Sequence, residues 1–130
     1  MNKICTSIEQ SQKLIELGID VNTADMYWLN RYIDLIETKY ELLVVDRSNK
    51  HIDFFNSYAI AVEEGEIIPC WSLSALFDIM PHIQEFYPII EKINDKFVCR
   101  YKGSGIWING TDSVDVCVEM INLLKEKELI

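Results

Sequence analysis

The segment that most constrains the fold of this chain runs from Ile67 to Pro81 and reads Ile-Ile-Pro-Cys-Trp-Ser-Leu-Ser-Ala-Leu-Phe-Asp-Ile-Met-Pro. An apolar run ends at its first proline, Ser72 is placed to cap a short helix, and Pro81 stops that helix. The apolar residues between them recur at helical spacings and share one face: Leu73, Leu76, Phe77 and Met80. The segment predicts a strand, a corner anchored by Trp71, and a helix over residues 72–80 whose apolar face packs in the core.

A first helix is predicted over residues 7–17. Thr6 and Ser7 each start a capping-box pattern, in which a hydroxyl accepts a hydrogen bond from an exposed amide and an acid or amide three residues later reaches back. Gly18 is suited to the left-handed conformation that ends many helices, and Ile19 can then fold back onto the last turn.

A last helix is predicted over residues 112–127. Either Asp112 or Ser113 can cap its N-terminus, and two lysines near its C-terminus complement the helix dipole. Its apolar residues follow the spacing of a helix with one buried face: Val114, Cys117, Val118, Ile121 and Leu124.

The segments between the helices predict an antiparallel sheet. Residues 26–36 fit both a helical stripe and a strand, but their aromatic and β-branched content favours a strand at residues 26–31. Asn94 and Asp95 form a two-residue hairpin signal. The other extended segments are bounded by turn residues: 40–46, 51–55, 57–62, 87–93, 96–101 and 106–108. No linker or repeat divides the chain, so we expect residues 1–130 to form a single α+β domain, an antiparallel β-sheet with three helices.

The charge of this acidic chain is unevenly distributed, with 12 Lys and Arg residues against 21 Asp and Glu residues. Only residues 94–111 are locally positive, through Lys96, Arg100 and Lys102 against Asp95. Because no basic stripe could neutralise a run of phosphates, direct binding to nucleic acid is not expected. An excess of acid is typical of a solvated surface; the alternative is an acidic inhibitor, or nucleic-acid mimic, that occupies a basic partner.

Four cysteines stand far apart in the sequence, at Cys5, Cys70, Cys99 and Cys117, without a Cys-x-x-Cys pair. The first residues contain no apolar secretory segment, and the longest apolar runs are far shorter than a membrane span. We therefore expect reduced cysteines and a cytoplasmic protein that does not enter the membrane. Four Cys and two His without close paired spacing also predict no metal site, and we expect no cofactor.

Two arrangements of side chains could support catalysis. Ser74, Asp78 and His82 are spaced by four, but the intervening proline ends the helix and breaks the geometry of a triad. Cys70 precedes a helix N-terminus, where a thiolate is favoured, yet its proline and tryptophan neighbours are typical of packing. We therefore expect that the protein is not an enzyme. The alternative is a small hydrolase or thiol enzyme that uses Cys70, or Ser74 with His82.

Aromatic residues occur in three adjacent pairs within extended segments: Tyr27-Trp28, Phe54-Phe55 and Phe86-Tyr87. Successive side chains of a strand point to opposite faces, so one ring of each pair enters the core while the other points outward. Outward aromatic residues are favoured at protein contacts. These residues are candidates for an interface that binds a protein partner or a second copy of the chain. The alternative is a sheet covered by its own helices and loops.

Three blocks of sequence occur together in the N-terminal and central parts of the chain. They are Thr-Ser-Ile-Glu-Gln-Ser at residues 6–11 running into Leu-Gly-Ile-Asp at 17–20, Thr-Ala-Asp-Met-Tyr-Trp at 23–28, and Ile-Pro-Cys-Trp-Ser-Leu-Ser-Ala-Leu at 68–76. With Pro81, these blocks resemble a group of small proteins of gut Bacteroidales and their phages or other mobile elements. The resemblance implies a cytoplasmic location and a phage or mobile-element origin, and it brings no activity or catalytic residue. The leading hypothesis is a non-enzymatic interaction or assembly protein.

Overall fold

A computed structural model of the chain describes residues 3–32, 38–44, 62–63, 65 and 67–130. Within these residues the fold is α+β, as the sequence predicts. Its helices are α1 (Ile8–Glu16), a short 3-10 turn (Val21–Thr23), α2 (Leu73–Ile79) and α3 (Ser113–Glu126). Its strands are β1 (Met26–Tyr32), β2 (Thr38–Val44), β3 (Ile67–Cys70), β4 (Pro88–Ile93), β5 (Lys96–Tyr101) and β6 (Ile106–Gly110). The predicted segments at 51–55 and, apart from Val62, at 57–62 lie outside the described residues, with Phe54 and Phe55. Val62 itself is helical, as is Glu63, so the expected extended conformation is wrong at this residue.

The described strands form two antiparallel sheets of three strands each. The order is β2-β1-β3 in the N-terminal sheet and β4-β5-β6 in the C-terminal sheet. β1 is a strand rather than a helix, and it pairs with a neighbour on each side. Helix α3 packs against β5 and β6, α2 packs against α3, and α1 contacts β3 and α3. The predicted antiparallel strands are therefore divided between two sheets that share these helices.

Helix α1 begins and ends on local signals that the sequence carries. The Ser7 hydroxyl accepts from the Gln10 amide at 3.1 Å, and the Gln10 side chain accepts from the Ser7 amide at 3.0 Å, which completes a capping box. Gly18 takes a positive φ of 88°. The Ile19 amide then donates back to the Leu14 carbonyl at 3.1 Å, which is the Schellman pattern. The predicted helix over 7–17 is confirmed with its ends one residue shorter.

Helix α2 is capped by a serine that is itself held by a distant carboxylate. The Ser72 hydroxyl accepts from the Ala75 amide at 3.2 Å, as predicted. The same hydroxyl donates to Asp25 Oδ2 at 2.5 Å, and the Ser72 amide donates to Asp25 Oδ1 at 2.9 Å. Met80 leaves the helical conformation immediately before Pro81. Asp25 therefore ties the start of β1 to the corner between β3 and α2.

Asp112, rather than Ser113, caps the N-terminus of helix α3. The Asp112 carboxylate accepts from the amides of Val114 and Asp115 through Oδ1, at 2.9 and 3.1 Å. Its other oxygen accepts from the Lys3 amide at 2.7 Å, so the N-terminal segment is fastened to this cap. None of the helices in the described ranges, α3 included, combines the length and apolar character needed to cross a bilayer.

Strand β6 continues to Gly110, two residues beyond its predicted end at residue 108. Gly110 pairs with Phe97 of β5, so the Asn109-Gly110 step belongs to the sheet rather than to a turn. A Cβ atom on Gly110 would lie 2.9 Å from Cγ1 of Val116 in α3. The missing side chain is therefore what allows α3 to pack closely on the end of this strand.

Replacing Gly110 with alanine should lower the free energy of unfolding by about 1–3 kcal/mol, because the new methyl group overpacks the contact with α3. Val116 is β-branched and stiff, so it cannot turn aside at low cost. Urea unfolding of Gly110→Ala against Asn109→Ala, an exposed neighbour in the same strand, measures the effect. Equal midpoints for the two variants would mean that α3 does not approach the sheet this closely.

The core lies between the three helices and the inner face of the C-terminal sheet. Its largest fully buried side chains include Trp71, Tyr101, Leu14, Leu76, Met120, Ile121 and Leu124. Two of these side chains, Trp71 and Tyr101, carry a polar group, and both groups form hydrogen bonds, as buried polar groups generally do. The Trp71 indole N–H donates to Thr23 Oγ1 at 2.9 Å, and the Tyr101 hydroxyl donates to the Pro81 carbonyl at 2.8 Å. Trp71 thus sits inside the strand-to-helix corner, and Leu73 and Phe77 are half-buried on α2.

Candidate interaction surface

The C-terminal sheet has one face under α3 and one face open to solvent. Cys99 and Tyr101 of β5 are buried on the side of α3. Because side chains alternate along a strand, Val98 and Arg100 point the other way. We call the second side the outer face, and the register gives its members as Ile89, Glu91, Ile93, Lys96, Val98, Arg100, Trp107 and Asn109.

Large apolar side chains of the outer face are exposed to solvent. Trp107 is 58% exposed and Ile93 is 51% exposed, while Val98 is half-buried between them. Isolated exposed apolar residues are normal on a protein surface, but a contiguous set that includes an indole is typical of a contact site. The outer face is therefore the strongest candidate interaction surface in the described chain.

The strand register arranges the outer face in rows. Ile89, Arg100 and Trp107 oppose one another in the first row, Glu91, Val98 and Asn109 in the second, and Ile93 and Lys96 in the third. Trp107 and Ile93 therefore lie at opposite ends of one diagonal of the sheet, with Val98 at its centre. We call these three residues the apolar diagonal.

An ion pair lies beside the apolar diagonal. Nε of Arg100 donates to Oε1 of Glu91 at 2.9 Å, and Nη2 donates to the same oxygen at 2.5 Å. The two side chains are 41% and 36% exposed, so water screens their attraction and the pair contributes at most about 1 kcal/mol to stability. Its consequence is geometric, because it holds the guanidinium group at a known position next to Trp107.

Two open depressions border the apolar diagonal, with volumes of about 360 and 480 Å³. Both are lined by Ile93 and Val98; the first also reaches Trp107 and Arg100, and the second reaches Lys96. The outer face carries Lys96 and Arg100 against Glu91, in a chain whose formal net charge is −9. It is therefore a relatively apolar and locally positive region of an acidic molecule.

The aromatic pairs proposed from the sequence occupy mixed environments. Phe86 packs against the core, whereas Tyr87 is 48% exposed. Tyr27 and Trp28 are half-buried, and the Trp28 indole N–H donates to the Thr6 carbonyl at 3.1 Å. Trp107, the most exposed of the large aromatic side chains described, was not among these candidates. The sequence shows Trp107 between two isoleucines in a short strand. It does not show that Trp107 points outward, because that depends on the side of the sheet on which α3 packs.

The described structure does not bring the candidate catalytic residues together. Cys70 is fully buried, and its thiol interacts with that of Cys5. Ser74 and His82 are exposed, no hydrogen bond joins them in the described structure, and the His82 ring lies 6.2 Å from that of Tyr87. His51 is outside the described residues. Among those described, no three His, Cys, Asp or Glu side chains are grouped so that they could hold a metal ion.

Several acidic side chains have internal structural roles. Asp25 holds the cap of α2, Asp112 caps α3, and Glu91 pairs with Arg100. Asp115 accepts from Lys3 Nζ at 2.6 Å and from Gln10 Nε2 at 2.7 Å. Partial burial raises the pKa of Asp115, but these hydrogen bonds and the lysine charge outweigh it, and the pKa is lowered. Part of the chain's acidity therefore serves helix caps and ion pairs.

Comparison with known proteins identifies no relative of this chain. No protein-family model matches the chain, and no curated protein or solved structure matches it.

Proposed function

We propose that the protein is a non-enzymatic interaction protein whose outer face binds a second copy of the chain. The observation that carries the proposal is the apolar diagonal of Ile93, Val98 and Trp107, on the side of the C-terminal sheet opposite α3. Aromatic residues that become buried in an interface commonly dominate its binding energy. A cytoplasmic assembly role in a phage or mobile element is consistent with the resemblance of its sequence blocks.

The distribution of charge supports a second copy as the occupant. Two chains of formal net charge −9 repel each other over most approaches. The outer face carries two cations, Lys96 and Arg100, against the single carboxylate of Glu91. Contact through the two outer faces therefore keeps the acidic remainder of each copy away from that of the other.

The register also supports a specific symmetric arrangement. In this arrangement the two copies are related by a two-fold axis that lies above Val98, parallel to the sheet and perpendicular to the apolar diagonal. This axis places Trp107 of each copy over Ile93 of the other, because the two residues are equally displaced from Val98. The same operation places Arg100 of each copy over Glu91 of the other. With strands about 4.8 Å apart and alternate residues about 6.8 Å apart, the strands of the two sheets then cross at about 70°, nearer the orthogonal than the aligned class of sheet packing.

Aligned packing of the two sheets is disfavoured by the same residues. A two-fold axis above Val98 and parallel to the strands would place Arg100 opposite Arg100 of the other copy. An axis across the strands would place Arg100 on Lys96 of the other copy. Both arrangements bring like charges together, which costs several kcal/mol at an interface. Charge complementarity therefore favours the orthogonal arrangement.

Replacing Trp107 with lysine should weaken self-association by a factor of about 30 or more, as expected when a central aromatic contact is lost. Sedimentation velocity over a range of concentrations measures the monomer–dimer equilibrium. Val44→Lys is a matched control, because Val44 is 68% exposed and lies in the other sheet. A wild-type chain that stays monomeric at its highest soluble concentration, or an equal loss in both variants, would overturn the proposal.

A further inference from the structure

The four cysteines form two close pairs inside the described structure, although all are free thiols. The thiols of Cys5 and Cys70 interact, and this contact lowers the pKa of Cys5 and raises that of Cys70. In the same way, contact between the thiols of Cys99 and Cys117 lowers the pKa of Cys99 and raises that of Cys117. The sequence separations of 65 and 18 residues give no hint of either pairing.

The first pair joins the N-terminal segment to the central corner of the fold. Cys5 opposes Ser72 in an isolated antiparallel bridge, and the Thr6 amide donates to the Trp71 carbonyl at 2.9 Å. Because alternate residues share a face, Cys5 and Cys70 lie on the same side of this strand pair, one diagonal step apart. Cys5 is 4% exposed and Cys70 is fully buried.

The second pair is enclosed by the core. Cys99 lies in the middle of β5 and Cys117 lies on the face of α3 that covers it, and both are fully buried. The Cys99 sulfur is also 3.9 Å from the sulfur of Met80. A reagent reaches these two thiols only if α3 leaves the sheet, which amounts to unfolding the protein.

We propose that Cys5 and Cys70 are a disulfide site that closes in an oxidising thiol–disulfide buffer while Cys99 and Cys117 remain reduced. Cys5 precedes α1 and is not a member of the hydrophobic core cluster, so its segment can open locally while that cluster stays packed. Opening uncovers the Cys5 thiol to the oxidant, and reclosing returns it to Cys70. A disulfide between the diagonal partners requires the N-terminal segment to shift slightly along β3.

The chemistry balances with glutathione disulfide as the oxidant. The Cys5 thiolate attacks one sulfur of glutathione disulfide, forms a mixed disulfide, and releases one glutathione thiolate. The Cys70 thiolate then attacks the Cys5 sulfur, forms the protein disulfide, and releases the second glutathione thiolate. Two protons from the cysteines convert both leaving groups to glutathione, and two electrons pass from the protein to the oxidant.

Trypsin separates the four cysteines, which makes the test direct. Cleavage after Lys and Arg places Cys5 in residues 4–13, Cys70 in 51–92, Cys99 in 97–100 and Cys117 in 103–125. The native full-length protein is incubated with glutathione disulfide in excess over glutathione, its free thiols are alkylated, and the peptides are identified by mass spectrometry. We expect peptide 4–13 linked to peptide 51–92, with the other two cysteines alkylated. We also expect the urea midpoint to rise when the link forms.

Two variants sharpen the result. Cys5→Ser should abolish the linked peptide, whereas Cys117→Ser should retain it. Four alkylated cysteines in native protein, glutathione adducts without a link, or a link between Cys99 and Cys117 first would each overturn the proposal. Mapping of the wild-type chain needs no variant, so poor folding of a serine variant does not affect the decision. A sample oxidised in urea controls for the reactivity of all four thiols.

Discussion

Replacing Arg100 with glutamate is expected to weaken self-association at least as strongly as the loss of Trp107. In the orthogonal arrangement, Arg100 of each copy faces Glu91 of the other, so the variant creates two like-charge contacts across one interface. Such contacts cost several kcal/mol in total, which corresponds to a loss of affinity of about 100-fold or more. Sedimentation velocity at fixed ionic strength measures the loss.

Exchange of the two charges provides the decisive control. The double variant Glu91→Arg, Arg100→Glu restores opposite charges both within each chain and between the copies. We expect it to recover most of the affinity lost by Arg100→Glu alone. Stability of the monomer is a minor concern, because the pair is exposed and contributes at most about 1 kcal/mol.

A third variant distinguishes this arrangement from the other orthogonal one. If the axis ran along the apolar diagonal instead of across it, Glu91 would face Lys96 and Arg100 would face Asn109. Lys96→Glu would then be the disruptive change, whereas our arrangement predicts a small effect for it. Failure of the charge exchange together with sensitivity to Lys96→Glu would reject the proposed register but retain self-association. Insensitivity to Trp107→Lys would reject the surface itself.

Helix boundaries were predictable because their signals are local. The hydroxyl of Ser7, the hydroxyl of Ser72 and the carboxylate of Asp112 each act on amides within three residues of themselves. What holds these caps could not be predicted, because the partners are distant in sequence. Asp25 lies 47 residues from Ser72, and Lys3 lies 109 residues from Asp112. Nothing in a single sequence indicates which distant residue will bind a given helix cap.

The candidate surface was missed for a related reason. Alternation predicts that Trp107 and its isoleucine neighbours point to opposite faces of β6, but it does not tell which face α3 covers. Gly110, whose missing side chain allows the close approach of Val116 in α3, lies at the end of this strand. The division of the strands into two sheets is likewise a tertiary property, because each strand alone carries the same periodic signal.

Replacing Thr6 with valine is expected to lower the free energy of unfolding by about 2–4 kcal/mol. Thr6 and Ser11 are fully buried, and their hydroxyls lie 2.7 Å apart. The Ser11 hydroxyl donates to the Ser7 carbonyl at 2.7 Å, and the Trp71 amide donates to Thr6 Oγ1 at 3.0 Å. Since Ser11 has used its one proton, the Thr6 hydroxyl must donate to Ser11, and every member of the chain is satisfied.

Valine preserves the shape of threonine, so the variant removes hydrogen bonding without leaving a cavity. The amide of Trp71 then loses its acceptor in a site that water does not reach, and an unpaired buried donor costs more than a hydrogen bond contributes. Thr23→Val is a matched control that removes the other hydrogen bond of Trp71: the Thr23 hydroxyl accepts from the indole N–H at 2.9 Å, and Thr23 itself is exposed. Urea unfolding followed by tryptophan fluorescence compares the two variants.

A second readout separates a general loss of stability from a local one. Thr6 lies next to Cys5 and holds the N-terminal segment on the corner at Trp71. If this contact limits local opening, Thr6→Val should accelerate the reaction of Cys5 with glutathione disulfide without exposing Cys99 in the native protein. Thr23→Val should not change that rate. Equal stability losses for both valine variants would show that the buried hydroxyl chain is not what fastens the N-terminal segment.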